Sequence, residues 1–134
     1  MDEYKNTIYE NFFGQSIQVT KLVDQQTQKE KIISSQTLRM GPIMLESKQG
    51  RLTEAWEDAT RDLVEDYKTQ GSEVCVNETW VKDPPNILIF NINRVSYDKE
   101  KNALVKDFSK FEFEKKIYAD QFIDSNISKV KALK

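Results

Sequence analysis

The chain has 134 residues, 38% hydrophobic and 31% charged, and so amounts to one compact domain or a portion of a larger one. Leu, Ile, Val and Phe supply 35 side chains, enough for a modest core and too many for a disordered chain. A net charge of −2 gives no basic footprint for nucleic acid, and the longest apolar run, residues 87–90, is far short of the roughly 20 that cross a bilayer.

In chain order, Tyr4, Ile8 and Phe12 recur at i, i+4 and i+8 behind Asp2, a residue suited to an N-cap. Gly14 follows where a C′ residue would sit, so a short amphipathic helix is predicted. Ile17 and Val19 then alternate with polar residues and slip register to reach Leu22 and Val23, while residues 24–31, DQQTQKEK, read as a loop or hairpin tip. Leu38, Met40 and, past Pro42, Ile43 and Leu45 continue as half-buried strands. The clearest helix spans residues 52–67, with Leu52, Trp56, Ala59, Leu63, Val64 and Tyr67 on one face. Its other face is acidic, either solvated or a partner surface.

Gly71 ends that pattern, and Val74, Val76 and Val81, with Trp80, predict an extended segment. Pro84 and Pro85 lack ladder donors and hold the backbone extended, a rigid lead-in to residues 86–94, NILIFNINR. That run is apolar on both faces at its start, which predicts a central strand. Residues 95–97 extend it into a hairpin with its tip at 98–102 and a return through Leu104 and Val105. Phe111 and Phe113 flank Glu112 as a short strand, and the tail from Ile117 begins a helix that the sequence does not finish. Trp56, Trp80, Phe90, Phe111 and Phe113 are spaced as core.

The chemistry is narrowly bounded. There is one cysteine, Cys75, and no histidine. A single thiol forms neither an internal disulfide nor a structural zinc site, so no metal and no other cofactor is expected. Without an imidazole, the Ser-His and Cys-His pairs that activate a nucleophile near neutral pH cannot be assembled. Cys75 lies in Glu73-Val74-Cys75-Val76, the setting of a small buried hydrophobe. No catalytic residue is expected in this chain, and a soluble intracellular protein, cytoplasmic or nuclear, is.

Together these segments resemble the interior of the catalytic domain of ubiquitin-specific proteases, the papain-like thiol deubiquitinases, over residues 8–123. Phe12-Phe13-Gly14 is similar to the family's Leu-Phe-x-Gly, and Leu52-Thr53-Glu54-Ala55-Trp56 to its Ser/Asn-Leu-x-Glu-x-Leu helix start. The most specific piece, Pro84-Pro85-Asn86-Ile87-Leu88-Ile89-Phe90-Asn91-Ile92-Asn93-Arg94, resembles Pro-Pro-x-Leu-x-x-x-Leu-x-Arg-Phe. Tyr97, Lys106 and Phe111-Glu112-Phe113 follow at a spacing similar to Lys-x-x-x-x-x-Glu-Phe-Pro, and residues 118–122 resemble a Leu-Asp-x-Tyr/Phe end.

This resemblance implies an α+β fold of the papain-like cysteine peptidase superfamily. Residues 1–123 would be an incomplete palm and fingers portion, with a mainly antiparallel sheet, one prominent helix, and the double-proline strand sharing a sheet with its companions. Residues 124–134 would be a tail or the start of a helical insertion. A single cysteine matches the subgroup without zinc-binding Cys-x-x-Cys pairs.

The family's catalytic Asn-x-Cys-Tyr/Trp and Gly-His-Tyr boxes are both missing, so thiol-dependent removal of ubiquitin is not expected of this chain alone. Arg94 and Val95 match the family's Arg-Phe pair and Lys106 the lysine beyond it, along the cleft that receives ubiquitin's C-terminal tail. An extended tail is held by strand-like main-chain hydrogen bonds and flanking side chains, yet an unpaired arginine repels an Arg-rich tail. Arg94 therefore either touches the tail or pins a carbonyl or carboxylate within the palm; Lys106 is either a contact or a solvated hairpin lysine. Val95 in place of Phe, and Glu114 in place of the motif's last Pro, depart from the pattern as in a distant or relaxed branch.

Three functions follow, in order. The chain is part of a deubiquitinase supplying scaffold and cradle strands, or a non-catalytic ubiquitin-binding or interaction scaffold, or an unrelated α+β interaction protein. The partner expected is ubiquitin, a ubiquitinated protein or the remainder of a split protease, with neither nucleic acid nor membrane.

Overall fold

The computed structural model describes residues 7–133 except 9, 66 and 70. Its largest sheet is antiparallel and has the order β2-β1-β5-β4, from strands β1 (Gly14–Asp24), β2 (Glu30–Met40), β4 (Arg61–Leu63) and β5 (Glu73–Asp83). The β1–β2 turn is held by Asp24, whose Oδ1 accepts from the Gln26 N–H at 2.9 Å and the Ser72 hydroxyl at 2.7 Å. The polar stretch is thus a hairpin tip, with its last two residues drawn into β2. Where the alternation slips, the β1–β2 register shifts between Thr20 and Lys21. The extra residue, Ile33, lies in β2, and the buried positions of β1 are Ser16 near its start and Lys21 and Val23 near its end.

The core lies beyond this sheet, between it and a parallel pair formed by β3 (Ile43–Glu46) and β6 (Phe90–Asn93). Helix α1 (Leu52–Ala59) contributes Leu52, Ala55 and Trp56, which cluster with Met40, Leu45, Val81, Phe111 and Phe122. Trp56 stacks on Phe122 with ring centroids 3.7 Å apart and meets Phe90 edge-on at 5.2 Å. The edge-on contact stabilises beyond the area it buries.

Several expectations are corrected. Helix 52–67 stops at Ala59, and residues 61–63 become edge strand β4. The open edge of β5 is the reason: Thr79 N–H donates to Thr60 C=O at 2.8 Å, and Val64 N–H to Cys75 C=O at 2.8 Å. Continuing the helix would leave those β5 groups unpaired, and Leu63, the next apolar residue of the helical stripe, is instead 66% exposed.

The double-proline strand is shorter and less buried than predicted, with Ile87 48% exposed. Its sheet is also separate from the hairpin that follows, β7 (Val95–Asp98) and β8 (Ala103–Lys106), so these segments do not share one sheet. Asn93 causes the break, because its Oδ1 accepts the Val95 N–H at 3.1 Å and replaces a ladder partner. The hairpin itself forms with its tip where predicted, Asp98 Oδ1 taking the Glu100 N–H at 2.9 Å.

Phe113 is exposed and its segment is no strand, only an isolated bridge between Glu112 and Arg51. Phe111 is core as expected, and Trp80 and Phe90 are half-buried. Residues 7, 8 and 10–12 are helical, but Ile8 and Phe12 are exposed; Asp2 and Tyr4 lie outside the described residues. Gly14 opens β1 instead of capping that helix. The tail carries Phe122 into the core and ends in a seven-residue helix, α2 (Ile127–Leu133). Among the described residues, no helix is long and apolar enough to cross a membrane.

Candidate functional site

Arg94 occupies the single step between β6 and β7, with Val95 directly after it. The hairpin makes Val95 and Lys106 cross-strand partners, and Asp107 N–H continues the ladder to Arg94 C=O at 2.6 Å. All three residues named from the sequence are therefore brought together at the base of one hairpin.

Their environments differ. Arg94 turns back into the protein, Nη1 donating to Ser109 C=O at 2.8 Å and to Asp107 C=O at 3.2 Å. Val95 is 44% exposed, and Lys106 is exposed with its Nζ 5.6 Å above the Phe108 ring. Because alternate strand residues share a face, Val95 and Tyr97 line up with their partners Lys106 and Leu104. Val95, Tyr97 and Leu104 are all exposed, which gives the hairpin an apolar face ending in a cation. Among the described residues β7 pairs only with β8, so its outer edge is open to an extended chain.

The hairpin base is wired to the body of the domain through Asp107. Its Oδ1 accepts from the Ser109 hydroxyl at 2.6 Å and N–H at 2.9 Å, and its Oδ2 from the buried Ser47 hydroxyl at 2.7 Å. These donors, Ser109 foremost, hold the Asp107 carboxyl down to about 2, with Arg94 adding to the effect and desolvation opposing it. Asn93 Nδ2 adds a bond to Glu46 at 3.2 Å. Cys75 is buried in β5, and among the described residues no three His, Cys, Asp or Glu side chains converge as metal ligands.

A second polar cluster escaped the sequence. Lys21, only 3% exposed, places Nζ 2.9 Å from both Glu30 and Glu78, and Lys131 of α2 reaches the same carboxylates at 3.2 and 3.7 Å. Trp80 Nε1–H donates to Glu78 at 2.6 Å. Burial works against the charge on Lys21, but the groups around it prevail and its pKa lies above the ordinary value. Burial likewise opposes ionisation of Glu30 and Glu78, yet Lys21 and Lys131 bring both below the ordinary carboxyl value. The cluster joins three separate stretches of the chain, and nothing in the sequence pattern marked Lys21 as turning inward.

No family model and no curated protein matches this chain. Solved structures do. The SAGA DUB module of Ubp8, Sgf11, Sus1 and Sgf73 bound to monoubiquitin superposes with a TM-score of 0.66 at 12% identity, over 87% of this chain and 27% of that chain. The same module bound to ubiquitin aldehyde gives 0.67 at 13%, over 87% and 26%. A yeast SAGA DUB module with a substituted Sgf73 gives 0.66 at 12%, over 92% and 30%. The chain thus spans less than a third of the chains it matches. What is shared is the fold, an α+β arrangement like part of the chains in those modules.

Proposed function

We propose that this chain supplies scaffold and ubiquitin-cradle strands of a deubiquitinase-type domain and none of its catalytic residues. The observation that carries this reading is the hairpin of Val95 and Lys106, which follows the double-proline segment inside a fold matching ubiquitin-bound structures over 87% of this chain. The open edge of β7 holds an extended C-terminal tail by main-chain hydrogen bonds, with Val95, Tyr97 and Leu104 packing beside it. Arg94, occupied by two carbonyls, serves as a brace. Cations on the tail find Asp98 and Glu100 at the tip.

The remaining strands favour a portion of a larger assembly over a self-sufficient scaffold. A two-stranded parallel pair such as β3–β6 is seldom found without further strands and cover on both faces, and an isolated hairpin is marginal in water. Strands from the remainder of a split protease would complete them. The surface offered by one hairpin is small, so affinity for ubiquitin alone is expected to be weak.

Titrating the chain into labelled ubiquitin and following amide shifts tests this. Shifts confined to ubiquitin's C-terminal tail and its surroundings are expected, and they should vanish with Val95→Lys and Lys106→Glu, two exposed changes that spare the Arg94 brace. No shift at millimolar concentration would refute ubiquitin binding. The purified chain should also leave a fluorogenic ubiquitin substrate uncut, and Cys75-dependent turnover would overturn the non-catalytic part.

A further inference from the structure

Ser16 is a polar residue in an apolar place. In the β1 ladders it stands opposite Leu38 of β2 and Val81 of β5, and antiparallel partners direct their side chains to the same face. Val81 is part of the core cluster, so the Ser16 side chain turns toward the core as well, and the residue is only 7% exposed. Among the described residues its hydroxyl has no hydrogen-bond partner. A buried hydroxyl without a partner is costly, and an apolar side chain would serve the core better there.

That hydroxyl faces open space. Between the sheet, the turn after β2 and the end of α1 lies a cavity of about 240 Å³, bordered by Ser16, Met40, Trp56, Ala59, Thr79 and Phe122. Ser16 and Ala59 are small side chains where larger ones would fill this volume. Trp56 and Phe122, stacked on each other, give it an aromatic side. Thr79, half-buried, adds a second hydroxyl with no hydrogen bond among the described residues. Arg39 also borders the cavity and is engaged within the protein. Among the described residues no carboxylate borders it, so nothing there selects an ammonium group. An apolar cavity of about 150 Å³ takes up benzene; this one is larger and carries polar groups.

We propose that this cavity is a binding site for a small neutral aromatic molecule with one hydroxyl group, a phenol in chemical class, whose ring packs against the Trp56 and Phe122 side and whose hydroxyl pairs with Ser16. The Ser16 hydroxyl both donates and accepts, so it satisfies a phenolic O–H that gives up its water on entering. Because the walls belong to a central strand, α1 and the core, the site is formed before the ligand arrives. It is independent of the hairpin and of ubiquitin binding.

Phenol titrated into the isotope-labelled full chain tests it, with toluene, a ring of similar size without the hydroxyl, as the comparison. Saturable shifts are expected at the Met40 and Ala59 methyl groups and the Ser16 and Thr79 amides, with a dissociation constant of about 1 mM, as suits so small a ligand. The β7–β8 signals should not move. In Ser16→Ala the preference for phenol over toluene should fall by about three- to tenfold, the contribution of one hydrogen bond. In Ala59→Leu, which fills the cavity, neither should bind. No saturable shift with phenol up to about 20 mM, the result for a cavity that holds only water, would overturn the proposal. So would an unchanged phenol-to-toluene ratio in Ser16→Ala, or undiminished binding in a folded Ala59→Leu.

Discussion

Glu114 accepts a hydrogen bond from the Thr53 hydroxyl at 2.9 Å across 61 positions of sequence, at the first turn of α1. The residue in the N-cap position, Arg51, makes no side-chain cap bond, so the distant carboxylate stands in for one. Its pKa lies below the ordinary value, held there first by its own backbone N–H, against desolvation, and then by the Thr53 hydroxyl and N–H and by Arg51. The residue that departs from the Glu-Phe-Pro pattern thus has a structural task, which a proline could not perform. Glu114→Ala should cost about 1 kcal/mol of stability, the usual worth of a cap, and Glu114→Gln less, both read from urea unfolding midpoints.

What could be read from the sequence was local. The 95–106 hairpin was legible because turn residues separate two short apolar runs, but its register, which sets Val95 opposite Lys106, was not. The slip in alternation at Leu22 falls beside the place where β1 and β2 shift register, although the extra residue, Ile33, belongs to β2. Where prediction failed, a group outside the pattern being read decided the outcome. The periodic stripe through Leu63 gave way to the free edge of β5, and the strand that ends at Asn93 parts from the hairpin because the Asn93 side chain takes the Val95 N–H. At the site, Arg94 was recognisable as a residue of interest, but its partners Asp107 and Ser109 are known only once the hairpin has returned.

Lys21, with side-chain exposure of 3%, lies between two carboxylates whose charge it and Lys131 balance together. Removing one member of such a set leaves uncompensated charge, which costs more than the intact set contributes. Lys21→Met should lower stability by about 3 kcal/mol. Adding Glu78→Gln should restore part of that loss, since the amide still accepts from Trp80 and no longer faces Glu30 as an anion. Denaturant midpoints of the single and double variants check both, and an additive double variant would show that the charges are not coupled.

Stability should fall at both ends of the pH scale, for opposite reasons. The Asp107 carboxyl sits at about 2, below its ordinary 3.8, so its contribution is complete above the unfolded value and disappears as pH falls through about 2. Glu30 and Glu78, shifted below 4.5, add to the same acid arm. Lys21 lies above 10.5, so its contribution is complete below that value and is lost as pH rises through the higher folded one. A plateau from about pH 5 to 10 is expected. Asp107→Asn should flatten the lowest part of the acid arm, followed through the amide signals of β7 and β8 between pH 5 and 1.5.

Gly14 lies where the start of β1 crosses the end of β5, beside the turn into the two prolines. A Cβ there would collide with the Asp83 carbonyl and come within 2.9 Å of the Pro85 Cδ. Neither obstacle yields easily, one being backbone of a paired strand and the other a rigid ring. Gly14→Ala should cost about 2 to 3 kcal/mol, as overpacking does. Pro85→Ala should not rescue it, because the Asp83 carbonyl remains. Since the prolines lead directly to β6, the displacement should also shift amide signals from Phe90 to Asp98, at the hairpin that presents Val95. Gly71→Ala is the control: its φ of 62° strains an alanine, but nothing lies within 4 Å of the added Cβ, so only about 1 kcal/mol is lost and the hairpin signals stay in place.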